Sequence, residues 1–212
     1  MIAGSFLGHP SIAATMEWDQ VFVHSLPEPS FKLQANYRDE AGHLHQLKLE
    51  RHASHWLHRV TDNQLSLFAT RGSGEQMQIR LVDPVHKKVI DAQRTALYQV
   101  GIFEDWEQLA THLSKPKQAF ELEKVDKPRE TAVDCHWSQI TIKTAEHPHY
   151  QVCWSSKWNS VISLQKQQNT GEWQSLFEVV AISVIPIKEK DVWPAIPANY
   201  QYSNITEDLQ AD

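Results

Sequence analysis

Histidine offers the most chemistry in this chain. Twelve His occur in 212 residues, beside only two Cys. His43 and His45 are two apart, so in an extended segment both rings point to one face. His52, His55 and His58 follow, and His147 and His149 flank Pro148 with Cys153 shortly after. Imidazole and thiolate bind zinc or copper, but a site needs three or four ligands converging. These spacings match no compact zinc module. Surface or turn histidines account for them more simply, so no metal ligand is assigned and no cofactor is expected.

A nucleophilic reading would set Cys153 beside His149 or His136. The G-x-S-x-G and H-E-x-x-H frames are absent. Arg71-Gly72-Ser73-Gly74-Glu75 contains glycine but lacks the phosphate-loop frame. The chain therefore reads as a non-enzyme. Cys135 and Cys153 lie in strand-like runs that form a hairpin. A bridge needs Cα atoms within ~7 Å. With Thr144 to His149 as the turn, straight pairing sets Cys135 several residues beyond Cys153, and a bulge or asymmetric loop would repair this. Two readings fit: a disulfide worth about 3 kcal/mol in an oxidising compartment, or two buried thiols.

The elements that must position these residues are mostly short and alternating. Phe31 to Tyr37 alternates apolar and polar, and Asp39-Glu40-Ala41-Gly42 is a turn. Leu44 to Arg51, Trp56 to Val60, Leu65 to Thr70, Met77 to Leu81 and Lys88 to Ala92 follow as strands. The period then changes. Trp106, Leu109, Ala110 and Leu113 recur at helical spacing, with Glu104 and Asp105 favouring the start and Lys115-Pro116 the stop. A helical stretch near Thr95 and a short helix within residues 16–26 are weaker signals. Strands return at Ala119 to Val125, Val133 to Lys143, Tyr150 to Ser155, Val161 to Gln167 and Trp173 to Ile185. Asn169-Thr170-Gly171 marks a hairpin turn.

The expected fold is mainly β (α+β): a single large curved antiparallel sheet, an unclosed β-barrel, with a covering helix or helices. Residues 1–212 read as one domain. Residues 1–15 read as a flexible N-terminal segment that, as it stands, makes a poor signal peptide, and 186–212 as an irregular tail. Hydrophobic residues at 41% and charged residues at 22% exclude bulk disorder. A net charge of −6 without a basic patch argues against nucleic acid as a partner. No apolar run approaches the ~18 residues of a membrane-spanning helix, which excludes an integral helical membrane protein.

The order of elements carries a family resemblance. Met77-Gln78-Ile79-Arg80-Leu81-Val82-Asp83-Pro84, followed by Lys87-Lys88-Val89-Ile90, resembles the strand, Asp-Pro, strand passage of the LolA/LolB-like fold, which includes LppX and RseB. A helix interrupting the sheet at 104–113, a hairpin like Cys135 to Trp154, the strand at Ser160-Val161-Ile162-Ser163-Leu164 and a Pro-containing end extend it over residues 30–200. The resemblance implies a periplasmic or envelope location. It also implies a concavity that binds acyl chains or other hydrophobic ligands, with a lipidated protein or another protein as partner.

Alternation supplies the candidate lining. Leu47 and Leu49, Leu65 and Leu67, and Met77, Ile79 and Leu81 each share a face. Phe177, Val179 and Ala181 could complete the wall, and Trp106, Leu109 and Leu113 present the helix stripe. Trp56, Trp137, Trp154, Trp158 and Trp173 lie in or beside strands and line a cavity, form an exposed binding face or fill the core. The leading expectation is a non-enzymatic binder of a lipid, acyl chain or other hydrophobic ligand. The alternatives are a protein-interaction module with a filled core and a His-rich metal binder.

Overall fold

Alternation is realised first in β1 (Phe31–Arg38), where Phe31, Leu33 and Ala35 are buried and Lys32 and Gln34 exposed. The same rule builds β2 (Leu44–His52), β3 (Trp56–Thr61), β4 (Leu65–Arg71), β5 (Met77–Asp83) and β6 (Lys88–Gln93). The computed structural model describes residues 16–24, 27–53, 55–72, 76–93, 106–126, 128–186 and 193–205. The remaining elements are α1 (Trp18–Val21), α2 (Trp106–Thr111), β7 (Phe120–Lys124), β8 (His136–Ile142), β9 (His149–Ser155), β10 (Ser160–Gln167), β11 (Trp173–Val184) and β12 (Gln201–Asn204). The stretch near Thr95, Glu104 and Asp105, and residues 1–15 lie outside the described residues.

The twelve strands among the described residues form one open sheet in the order β12-β6-β5-β4-β3-β2-β1-β11-β10-β9-β8-β7. Two antiparallel meanders, β1 to β6 and β7 to β11, are joined where β1 pairs with β11. Turn chemistry fixes the hairpins. Asp62 and Asn63 take the left-handed backbone (φ 52° and 57°) and Gln64 N donates to Thr61 O at 2.9 Å, the geometry that suits a strand reversal. Gly171 turns the β10–β11 hairpin at φ 85°, where a side chain would be strained.

Three features differ from expectation. The tail is not wholly irregular, because Gln201–Asn204 adds β12 in parallel to the free edge of β6. The helix stops at Thr111, before Leu113: the Thr111 hydroxyl donates to Glu107 O at 2.8 Å and His112 turns left-handed at φ 64°. The β8–β9 turn is centred earlier than Thr144 to His149, setting His136 opposite Trp154. Cys135 then falls two positions past the partner of Cys153, on the same face, and the two sulfurs are bonded across a Cα–Cα distance of 5.5 Å.

We call the face that carries the helices the inner face. Trp18 and Phe22 of the α1 region pack on Phe120 and Trp154. Helix α2 packs on β10, its Ala110 O accepts from Arg51 of β2, and just past it His112 stacks on Phe177 of β11 at 4.4 Å. One cluster of buried apolar residues runs mainly along the inner face, from Met77 to Leu122, and takes in Trp137 and Cys153 of the outer face. Arg51 lies within it, fully buried. Its guanidinium donates to Ala110 O (3.2 Å), Asn159 O (3.0 Å) and Trp158 O (2.9 Å), and sits 4.4 Å over the Phe31 ring. Burial lowers its pKa to about 10, so it stays cationic.

Candidate binding groove on the outer face

Two segments cover parts of the outer face. The first is 128–135, pinned to β9 by the Cys135–Cys153 bond and to β10 and β11 by Arg129, which donates to Ser163 Oγ (2.7 Å) and pairs with Glu178. The second is 193–200, held over β5 and β6 by Arg80. The Arg80 guanidinium makes a two-pronged bond to Asp91 (2.7 and 2.6 Å), donates to Pro194 O and lies 5.1 Å from the Trp193 ring.

Between these covers the outer face opens into a groove of about 350 Å³. Its walls are Lys32, Gln34, Lys48, Glu50, His58 and Val60 of β1 to β3, with Ala181 and Ser183 of β11. Leu33, Leu49 and Ile182 also line it. Their side chains belong to the inner face, so they present main chain to it. Cross-strand pairing sets these groups in register: Lys32 opposite Glu50, Glu50 opposite His58, His58 opposite Phe68, and Phe68 opposite Arg80. A polar-aromatic row therefore runs from the groove to the Arg80–Asp91 pair.

The aromatic edge of the groove is tightly made. His58 stacks on Phe68, His52 meets Trp56 edge-on at 4.9 Å, and His52 Nε2 lies 3.0 Å from Glu50 Oε1. Burial lowers the His58 pKa, so the ring is neutral there at ordinary pH. Its Nε2 is buried without a partner. Lys48 donates to Asn63 Oδ1 at 2.6 Å. The groove thus offers an apolar strip, Val60 and Ala181 with the lysine stems, beneath two ammonium groups and one carboxylate.

The residues expected to line an inner cavity do share the inner face. Leu67 stands opposite Leu81, and Phe177 and Val179 stand opposite Tyr37 and Ala35. Leu47, Leu49, Met77, Ile79, Trp106, Leu109, Phe177 and Val179 are buried within the core cluster. Leu67 and Leu81 are half-buried, and Leu65 is 37% exposed. The inner face therefore closes near α2 and opens towards the β3–β4 turn. Ala181 does not complete this wall. A bulge between Gln34 and Ala35 sets Ala181 opposite Gln34, and a one-residue shift moves a side chain to the other face.

The histidines take separate roles. His149 Nδ1 lies 2.9 Å from Thr141 Oγ1, and Cys153 is oxidised, so no Cys–His nucleophile forms. His43 and His45 meet Asp39 and Asp62 in carboxylate contacts. Among the described residues no group of three or more His, Cys, Asp or Glu is arranged to hold a metal ion, and no helix is long and apolar enough to cross a membrane. Alternation signals Lys32, Gln34, Lys48 and Glu50 as the polar half of β1 and β2, but not His58 and Val60 of β3. Their convergence with β11 depends on a pairing that spans most of the chain.

No family model matches the chain, and no curated protein matches its sequence. Among solved structures it is similar to the crystal structure of MucB, with a TM-score of 0.47 and 11% identity over 87% of this chain and 63% of that one. The chain thus spans less than two thirds of MucB. It is also similar to an uncharacterised conserved protein from Thermus thermophilus, with a TM-score of 0.41 and 9% identity over 84% of this chain and 91% of that one.

Proposed function

We propose that the chain is a single-domain, non-enzymatic binding module of the cell envelope that docks a protein or lipidated partner on its outer-face groove. One observation carries this reading: the buried apolar residues of the inner face pack on each other as core, while a groove stays open between the two covering segments on the opposite face. Burial of the groove's apolar strip would drive association, with its charges setting orientation. The disulfide supports an oxidising compartment such as the periplasm. The order of elements that resembles the LolA/LolB-like fold supports the same placement.

A second reading rests on the open end of the inner face, where Leu65, Leu67 and Leu81 remain accessible. An acyl chain entering there would lie against half-buried leucines. Photocrosslinking separates the two readings. A photoreactive residue at Gln34 reports the groove, and one at Leu67 reports the inner face. Protein adducts at Gln34 and none at Leu67 support groove docking. Lipid-mass adducts confined to Leu67 replace it with the carrier reading.

A further inference from the structure

His45 faces carboxylates from two different turns. Its Nδ1 lies 2.7 Å from Asp62 Oδ2 in the β3–β4 turn, and its Nε2 lies 3.3 Å from Asp39 Oδ2 in the β1–β2 turn. An ionised carboxylate only accepts, and a neutral imidazole carries a single N–H. Both contacts are hydrogen bonds only when both ring nitrogens are protonated. The carboxylates are held in the ionised form. Desolvation works to raise the Asp39 pKa, but hydrogen bonds from the His43 backbone and from the His43 and His45 rings bring it to about 2. The His45 ring, then Gln46 N, lowers that of Asp62.

The other groups around His45 are few. The Tyr37 ring stacks on it at 5.1 Å. His43 Nδ1 lies 3.1 Å from Asp39 Oδ2 and His43 N donates to Asp39 Oδ1 at 2.8 Å. Arg38 donates to Gly42 O, and Lys48 to Asn63. Neither cation bonds to Asp39 or Asp62, so among the described residues histidine alone bridges the two turns.

We propose that doubly protonated His45 is a pH-operated clasp that ties the β1–β2 turn to the β3–β4 turn, at the end of the sheet where Leu65 leaves the inner face open. Loss of the Nε2 proton keeps the shorter bond to Asp62 and turns a lone pair towards Asp39. Asp39 keeps its bonds from His43, so the β1–β2 turn stays folded but is untied from its neighbour. The two carboxylates raise the His45 pKa above 6.5, Asp62 more than Asp39, so the clasp closes as pH falls and opens as pH rises through the raised pKa.

Nitrogen-15 NMR of the imidazole, with amide exchange across residues 39–43, tests this. At roughly pH 5.5 both His45 nitrogens are expected to carry protons. The midpoint is expected above 6.5 and lower in Asp62→Asn and in Asp39→Asn. Amide protection at 39–43, corrected for intrinsic exchange, is expected to fall through the same midpoint and to lose that step in His45→Gln. A midpoint at or below 6.5, a single N–H tautomer in acid, or protection that ignores the midpoint overturns the clasp.

Discussion

His58 and Phe68 stand directly opposite each other on β3 and β4 and stack with ring centroids 4.0 Å apart and planes 7° from parallel. The stack buries the imidazole that borders the outer groove. His58 and His112 both have pKa values pushed below 6.5, chiefly by burial, and His112 further by Arg59 and Arg51. Above 6.5 neither ring carries a proton in either the folded or the unfolded state. As pH falls from 6.5 towards the folded values, the unfolded chain takes up protons that the fold resists, and stability declines. Urea midpoints measured from neutral pH downwards are expected to drop. His58→Gln is expected to flatten the slope, as is His112→Asn, whose side chain suits the left-handed backbone.

Arg51 is expected to be among the costliest residues to replace. It supplies donors to four carbonyls, from Pro29, α2 and the β9–β10 turn. Arg51→Met keeps the volume of the stem but leaves those carbonyls without that partner. A loss of about 3 kcal/mol is expected, read as a lower urea midpoint at unchanged slope. Arg51→Lys is expected to recover part of it, because an ammonium reaches fewer carbonyls at once.

Reducing the disulfide, or Cys135→Ala with Cys153→Ala, is expected to cost about 3 kcal/mol for a loop of this size. The local effect is expected at 128–135, where amide exchange should accelerate. Arg129 keeps its contacts to Ser163 and Glu178, so exchange should rise least there. Uniform acceleration over the whole sheet would show that the bond acts on global stability alone.

The inner leucines are expected to separate by position. Leu47→Ala removes a fully packed side chain and is expected to cost ~2–5 kcal/mol. Leu65→Ala at the exposed end is expected to stay within about 1 kcal/mol of wild type. Equal costs in thermal denaturation would mean that the open end is closed in solution.

Much of the fold was legible because one physical rule governs it. Phe31 to Tyr37, Leu44 to Arg51 and Met77 to Leu81 alternate because one face is packed, and a slip would expose that whole face. Long-range pairings left weaker marks. Gln201–Asn204 reads as an irregular tail until the free edge of β6 is there to receive it. Ala181 reads onto the same face as Val179 because a bulge has no signature in the apolar pattern. His43 and His45 stood out by spacing, but their carboxylate partners come from two turns, one of them far along the chain. The groove is half visible: alternation sets Lys32, Gln34, Lys48 and Glu50 on the polar side of their strands, while His58 carries no such mark and Ala181 and Ser183 arrive through the β1–β11 pairing.

That seam has a consequence during synthesis. Residues 31–37 leave the ribosome long before residues 177–184, their hydrogen-bonding neighbours on one side. The first meander can close its local hairpins at once, yet β1 must wait with an unpaired backbone edge until nearly all of the chain has been translated. An edge of this kind recruits other chains. Lys32 and Gln34 alternate along it with Leu33 and Ala35, and the charge and amide point away from the face that is to be buried. The nascent protein is expected to depend on holdase chaperones in the interval, and a pause or truncation before β11 is expected to yield aggregates rather than a stable half-sheet.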